Sequence, residues 1–113
     1  MTNLRWRKCK GDVWCSFLTL NIEHPYFGNP MGVYIIWSGK NTIYIGSGNI
    51  KERIVEHRLN KEITKYPNLK IVWAATQENQ MRGIEKYLSD RHKPLVGERH
   101  PDVLPIEVNL PWR

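Results

Sequence analysis

Two tyrosines, Tyr34 and Tyr44, stand in segments that read as neighbouring strands, with an arginine, a histidine and a misplaced carboxylate further along the chain. Gly32-Val33-Tyr34-Ile35-Ile36-Trp37 and Thr42-Ile43-Tyr44-Ile45-Gly46 are β-branched and aromatic, and Ser38-Gly39-Lys40-Asn41 between them turns, which is the pattern of a hairpin. If Ser38, Gly39 and Lys40 form the loop, Val33 pairs with Ile45 and Ile35 with Ile43 on one apolar face. Gly32 then faces Gly46, and Tyr34 faces Tyr44, on the other. A shorter loop would mix the two sets. The expectation is a core face and a separate face where two phenols stand together, flanked by glycines that leave room for a ligand.

Ser47-Gly48-Asn49 offers a turn and an N-cap to a helix from Ile50 to Asn60. Arg53 and His57 lie four residues apart, so they stack on one side of that helix and can project over the sheet edge, or stay solvated on a charged helix. A third strand is expected over Leu69 to Thr76, central or covered, and a second helix from Gln80 to His92. The buried stripe of that helix, Met81, Ile84 and Leu88, also contains Glu85. An unpaired buried carboxylate costs several kcal/mol. Glu85 therefore needs an arginine such as Arg53, or else acts as a metal ligand or a general acid or base.

Size and composition set the frame for these elements. The chain has 113 residues, 41% of them hydrophobic and 25% charged, which suits one domain with one core. No apolar run approaches the roughly 18 residues of a membrane helix, and no signal peptide is evident, so a cytoplasmic protein is expected. Cys9 and Cys15 lack zinc-knuckle or disulfide-framework spacing and read as reduced packing residues. His24, His92 and His100 share no metal-ligand spacing. A net charge of +6 is compatible with a polyanionic partner and equally with a solvated basic surface. Residues 1–31 form a leader packed on a domain spanning 32–113. Within it, Leu4-Arg5-Trp6-Arg7-Lys8-Cys9-Lys10 mixes cations with an aromatic side chain, which could bind a nucleic-acid backbone or simply pack its ring inward.

Gly32-Val33-Tyr34, then Tyr44-Ile45-Gly46, then a helix with Arg53 and His57, resembles the GIY-YIG nuclease family. Glu85-Lys86-Tyr87-Leu88-Ser89-Asp90-Arg91-His92-Lys93-Pro94 resembles the segment around that family's metal-binding glutamate, as in excision-repair nucleases. The match covers roughly residues 32 to 97. The resemblance implies an α+β fold: a small GIY-YIG-like β-sheet of three central strands, with a possible extra C-terminal edge strand, flanked by helices. It also implies a metal-dependent endonuclease acting on DNA. Tyr34 would hold or deprotonate the attacking water, Tyr44 would orient the site, and Arg53 would offset charge on phosphorus. Glu85 would hold one Mg²⁺ or Mn²⁺ ion, and His57 would share proton transfers. Such hydrolysis needs a placed nucleophile, a counter-charge and a Lewis acid near the leaving oxygen. Gly46, Ser47, Lys51, Arg58 and Asn109 are candidate DNA contacts, with solvated or structural roles open to Lys51, Arg58 and Asn109.

The chain departs from the family pattern in two places. Arg53 follows Gly46 one residue early, implying a tighter entry to the helix. Gly97 stands where the family has an asparagine, and Asn109 can replace it only if Glu98 to Pro105 loops out and the chain returns as an edge strand. Besides the nuclease, a binding module without turnover and a protein-interaction domain whose tyrosines merely pack are compatible with the sequence. With no appended recognition helix, substrate shape or a targeting partner protein would decide specificity.

Overall fold

The structure, a computed structural model, describes residues 2–25, 27–97 and 102–112. Its elements are β1 (Cys15–Ser16), β2 (Met31–Ser38), β3 (Asn41–Asn49), α1 (Ile50–Arg58), α2 (Lys61–Thr64), β4 (Lys70–Ala75) and α3 (Glu78–His92). The strands form an antiparallel sheet in the order β1-β4-β2-β3, so β2 and β4 are its inner strands. This is an α+β domain. His100 lies outside the described residues, as does the start of the segment proposed to loop out after Gly97.

The hairpin forms where its β-branched residues predict, but its register differs from the expected one. Ser38 pairs with Asn41, leaving Gly39 and Lys40 as a two-residue loop in which Gly39 takes φ +61°. Continued without a break, that loop would set apolar residues opposite tyrosines. A bulge prevents this: Trp37 pairs with Thr42 and Ile36 with Tyr44, so Ile43 is the extra residue. Beyond the bulge Ile35 pairs with Ile45 and Tyr34 with Gly46. Val33, Ile35 and Ile45 stay on the face opposite the tyrosines, whereas the bulged Ile43 packs on the tyrosine side, and the tyrosines are diagonal neighbours and not a direct pair.

Both faces of the sheet are covered, which corrects the expected single core face. On one side Val33, Ile35, Ile45 and Val72 pack against Ile84 and Leu88 of α3. On the other, Tyr34, Ile36, Ile71 and Trp73 meet Ile50 and Ile54 of α1. Tyr34 is fully buried. Strand β4 is buried from Ile71 to Ala74, in line with its apolar sequence.

The fourth strand comes from the leader and not from the C-terminus. Cys15 and Ser16 pair with Ile71 and Lys70, and Phe17, with no exposed surface, enters the core beside α1. Cys9 and Cys15 are joined in a disulfide with Cα atoms 5.2 Å apart, correcting the reading of reduced thiols. The turn through Gly11 and Asp12, both at positive φ, folds the chain back so that Cys9 bridges Val13, a closure that cysteine spacing does not reveal. The C-terminal segment crosses α3, with Ile106 N–H donating to the Gly83 carbonyl at 2.9 Å, and Val108 makes an isolated bridge to Thr2.

Truncating Phe17 removes a fully buried ring and should lower the unfolding free energy by about 3–5 kcal/mol. Leu18→Ala, at an exposed neighbouring position, should change it by no more than about 0.5 kcal/mol. Urea melts of the two variants test this, and equal effects would mean that the leader is not part of the core.

Candidate active site

The cluster begins at a buried hydroxyl that the sheet cannot satisfy. The Tyr34 ring lies in the apolar layer under α1 with its oxygen against Gly46, where a Cβ would come within 2.7 Å of the phenol carbon. Gly46 therefore admits the ring of Tyr34, and the space expected for a ligand is filled by that side chain. A buried hydroxyl needs partners. They come from α1, which begins at the Asn49 N-cap, whose side chain accepts from Glu52 N–H at 3.1 Å.

One turn apart on α1, Arg53 and His57 close on the phenol from two sides. The Tyr34 oxygen is 2.7 Å from His57 Nε2, and Arg53 Nε donates to it at 3.3 Å. Arginine can only donate, so the phenol's own proton points to Nε2, and His57 is the acceptor. Arg53 Nη2 donates to the Tyr44 hydroxyl at 3.4 Å, so one guanidinium spans both phenols. The Tyr34 and Tyr44 rings are nearly parallel with centroids 6.2 Å apart, and the imidazole lies 4.3 Å from the Tyr44 ring. Tyr34, Tyr44, Arg53 and His57 thus converge as their spacing suggests. Tyr44 and Arg53 are half-buried and form the open side of the cluster, whereas Tyr34 is closed off.

Glu85 reaches this region from the other layer. It is half-buried on α3 and accepts a hydrogen bond from Ser47 Oγ at 2.7 Å, with Ser47 on edge strand β3 beside Gly46. Its charge is felt at Tyr34 across the edge. Partial exposure reduces the desolvation cost that full burial would impose, and the ion pair of Arg53 is instead with Glu56 at 2.8 Å. Among the described residues no group of three or more His, Cys, Asp or Glu side chains is placed to hold a metal ion. A single carboxylate at the sheet edge nonetheless suits Mg²⁺, which keeps several waters and commonly takes one carboxylate together with substrate phosphate oxygens.

The other expected contacts divide. Arg58 donates through Nη2 to the backbone carbonyls of Phe17 and Leu20 at 2.8 and 2.7 Å, tying the leader to α1. Asn109 donates to the Leu4 carbonyl at 3.0 Å and accepts from Leu4 N–H, so it joins the two ends of the chain and is not part of the cluster. Lys51 pairs with Glu23 at 3.1 Å near the surface. Two further residues lie beside the cluster. Glu56 was legible as a partner of Arg53 from their three-residue helical spacing. Gly97, at φ +109°, lies against the Tyr44 ring, with a Cβ there predicted to sit 3.1 Å from it. The family pattern, which has an asparagine at this position, is the sequence signal that points there.

Burial, with the Arg53 charge second, lowers the His57 pKa to about 4, so the imidazole is neutral at pH 7 and free to accept. Burial outweighs the Arg53 guanidinium at Tyr34 and raises its phenol above the usual range, so it keeps its proton. The chain matches no protein-family model, no curated protein and no solved structure.

The imidazole gives the cluster a defined acid sensitivity. Unfolded His57 binds its proton near pH 6.5 and folded His57 only near 4, so between these values the unfolded state holds more protons. The stability contributed by neutral His57 is complete above about pH 6.5 and is lost progressively down to about pH 4. Urea midpoints across that range should fall more steeply for wild type than for His57→Gln, and parallel curves would contradict the assignment.

Proposed function

We propose that this protein is a metal-dependent endonuclease hydrolysing DNA phosphodiester bonds, with a domain of the GIY-YIG type. The observation that carries the reading is the single guanidinium of Arg53 spanning Tyr34 and Tyr44 while His57 Nε2 lies 2.7 Å from the Tyr34 oxygen. Burial of Tyr34 accounts for its own donor, but Tyr44 is half-buried and needs none, so a cation shared between the two phenols goes beyond what packing requires. A phosphodiester placed against the half-buried Arg53 and Tyr44 gains a counter-charge for the negative charge that develops on phosphorus.

In the free protein neither Tyr34 nor His57 is a base near neutral pH. An arriving phosphate anion favours the protonated imidazole, which raises the tendency of His57 to take the phenol's proton. A water oxygen then attacks phosphorus, its proton passes to the Tyr34 oxygen, and the Tyr34 proton passes to His57 Nε2. The bond from phosphorus to the leaving oxygen breaks in line, the leaving oxygen takes a proton from solvent water, and His57 returns its own proton to solvent. Glu85, held by Ser47, would bind one Mg²⁺ or Mn²⁺ ion, which supplies Lewis acidity to the leaving oxygen. Opening of the contact over Tyr34 is required for water to reach it.

That requirement favours a second reading, a DNA-binding module of the same fold without turnover, because Tyr34 has no exposed surface. Targeting by a partner protein is compatible with either reading. No helix among the described residues is long and apolar enough to cross a membrane. In the cytoplasm the thiol pool would keep Cys9 and Cys15 reduced, and their loop would still be closed by the Cys9 N–H bond to the Val13 carbonyl at 2.8 Å.

Supercoiled, branched and single-stranded DNA incubated with Mg²⁺ or Mn²⁺ should be nicked or cut, and chelator should abolish cleavage. Glu85→Gln and Arg53→Ala should each lower the rate by roughly 10²- to 10³-fold, as for the loss of one transition-state partner. Intact substrates under every condition, with binding retained, would select the inactive module.

A further inference from the structure

A second concavity among the described residues lies away from the tyrosine cluster but on the same sheet face. It is a cavity of about 570 Å³ with an apolar floor that includes Trp73, Phe27 and Leu20. Arg7, Lys8 and Lys10 of the leader stand on its rim, with Asn21 and His24 also lining it, and no acidic side chain among the described residues does so. Lys8 has a long, exposed ion pair with Asp12 at 3.6 Å, whereas Arg7 and Lys10 make no ion pair with a described carboxylate. Clustered cations repel one another, and an anion at the rim relieves that repulsion.

Register connects this cavity to the proposed site. Arg7 bridges Trp73, Trp73 pairs with Tyr34, and Tyr34 pairs with Gly46, so one row crosses the sheet from the basic rim to the tyrosine cluster. Three strand spacings make that row about 14 Å long. The Phe27 and Trp73 rings, 5.0 Å apart and tilted by 46°, form an aromatic floor under the cations.

We propose that this cavity is a subsite for unpaired nucleotides of the DNA substrate, with a base on the Phe27–Trp73 floor and the flanking phosphates on Arg7 and Lys10. The inference rests on the nuclease reading for the nature of the substrate and adds its class: DNA with a single-stranded stretch a short distance from the scissile phosphate. A duplex buries its base faces and cannot reach an apolar floor recessed beneath a basic rim, whereas an unpaired base can. The cavity volume falls in the range of small-molecule sites, which accommodates a nucleotide.

The test is binding, measured on Glu85→Gln so that cleavage does not intervene. Fluorescence anisotropy would compare labelled oligothymidylate, a duplex of equal length and an abasic oligomer of equal charge over a series of salt concentrations. The single strand should bind best, and the abasic oligomer about fivefold or more weaker, for loss of base stacking. Adding Arg7→Ser and Lys10→Ser, both at exposed positions, should weaken oligothymidylate binding about fivefold or more and reduce the salt slope by about 1.4, for two lost phosphate contacts. Duplex binding should change less than twofold. Preference for duplex, equal binding of abasic and normal strands, or an unchanged salt slope would each overturn the proposal. Single-strand binding through Arg7 and Lys10 in a protein that cuts no DNA would uphold this subsite while removing the nuclease reading. Cleavage by a protein whose single-strand affinity ignores both residues would do the reverse.

Discussion

Strand β2 is covered on both faces, and much of the site follows from that constraint. Burial on the α3 side selects Val33 and Ile35, while burial on the α1 side encloses Tyr34 and Ile36. The phenol brings a hydroxyl into an apolar layer, and an unsatisfied hydroxyl there would cost roughly 1–3 kcal/mol. Arg53 and His57 satisfy it as donor and acceptor, and their positions on α1 fix the helix against the hairpin. The polar cluster is therefore both a requirement of the packing and a source of chemistry.

The bulge at Ile43 makes that arrangement possible. A two-residue loop and strict alternation would turn Tyr44 to the side opposite Tyr34. One extra residue returns Tyr44 to the α1 side, where Arg53 meets both phenols. The same strand carries Gly46, which admits the Tyr34 ring, and Ser47, which faces the opposite layer and holds Glu85. An edge strand is well suited to this task, because groups from both layers can approach each other around it.

The two ends of the chain complete the domain. The leader contributes β1 and the buried Phe17, and Arg58 binds its carbonyls to α1, while Asn109 joins the C-terminal segment to Leu4. A basic and aromatic leader thereby becomes one wall of a cavity beside β4 instead of a free tail. These polar contacts connect residues far apart in sequence, and each satisfies a backbone group that no regular element reaches.

Local pattern was sufficient for the hairpin, for α1, β4 and α3 within a few residues, and for the convergence of Tyr34, Tyr44, Arg53 and His57, because periods of two and 3.6 residues determine which side chains share a face. The sequence also exposed Glu85 as a break in an apolar stripe. It could not reveal the bulge, since a three-residue loop and a two-residue loop with one extra strand residue both set the two tyrosines on one face and differ only in where Ile43 packs. Nor could it show that the tyrosine face is covered, that Arg58 and Asn109 hold the leader through its backbone, or that Cys9 and Cys15 meet. Those outcomes depend on contacts between segments distant in sequence, and the energies that select them exist only once the layers have packed.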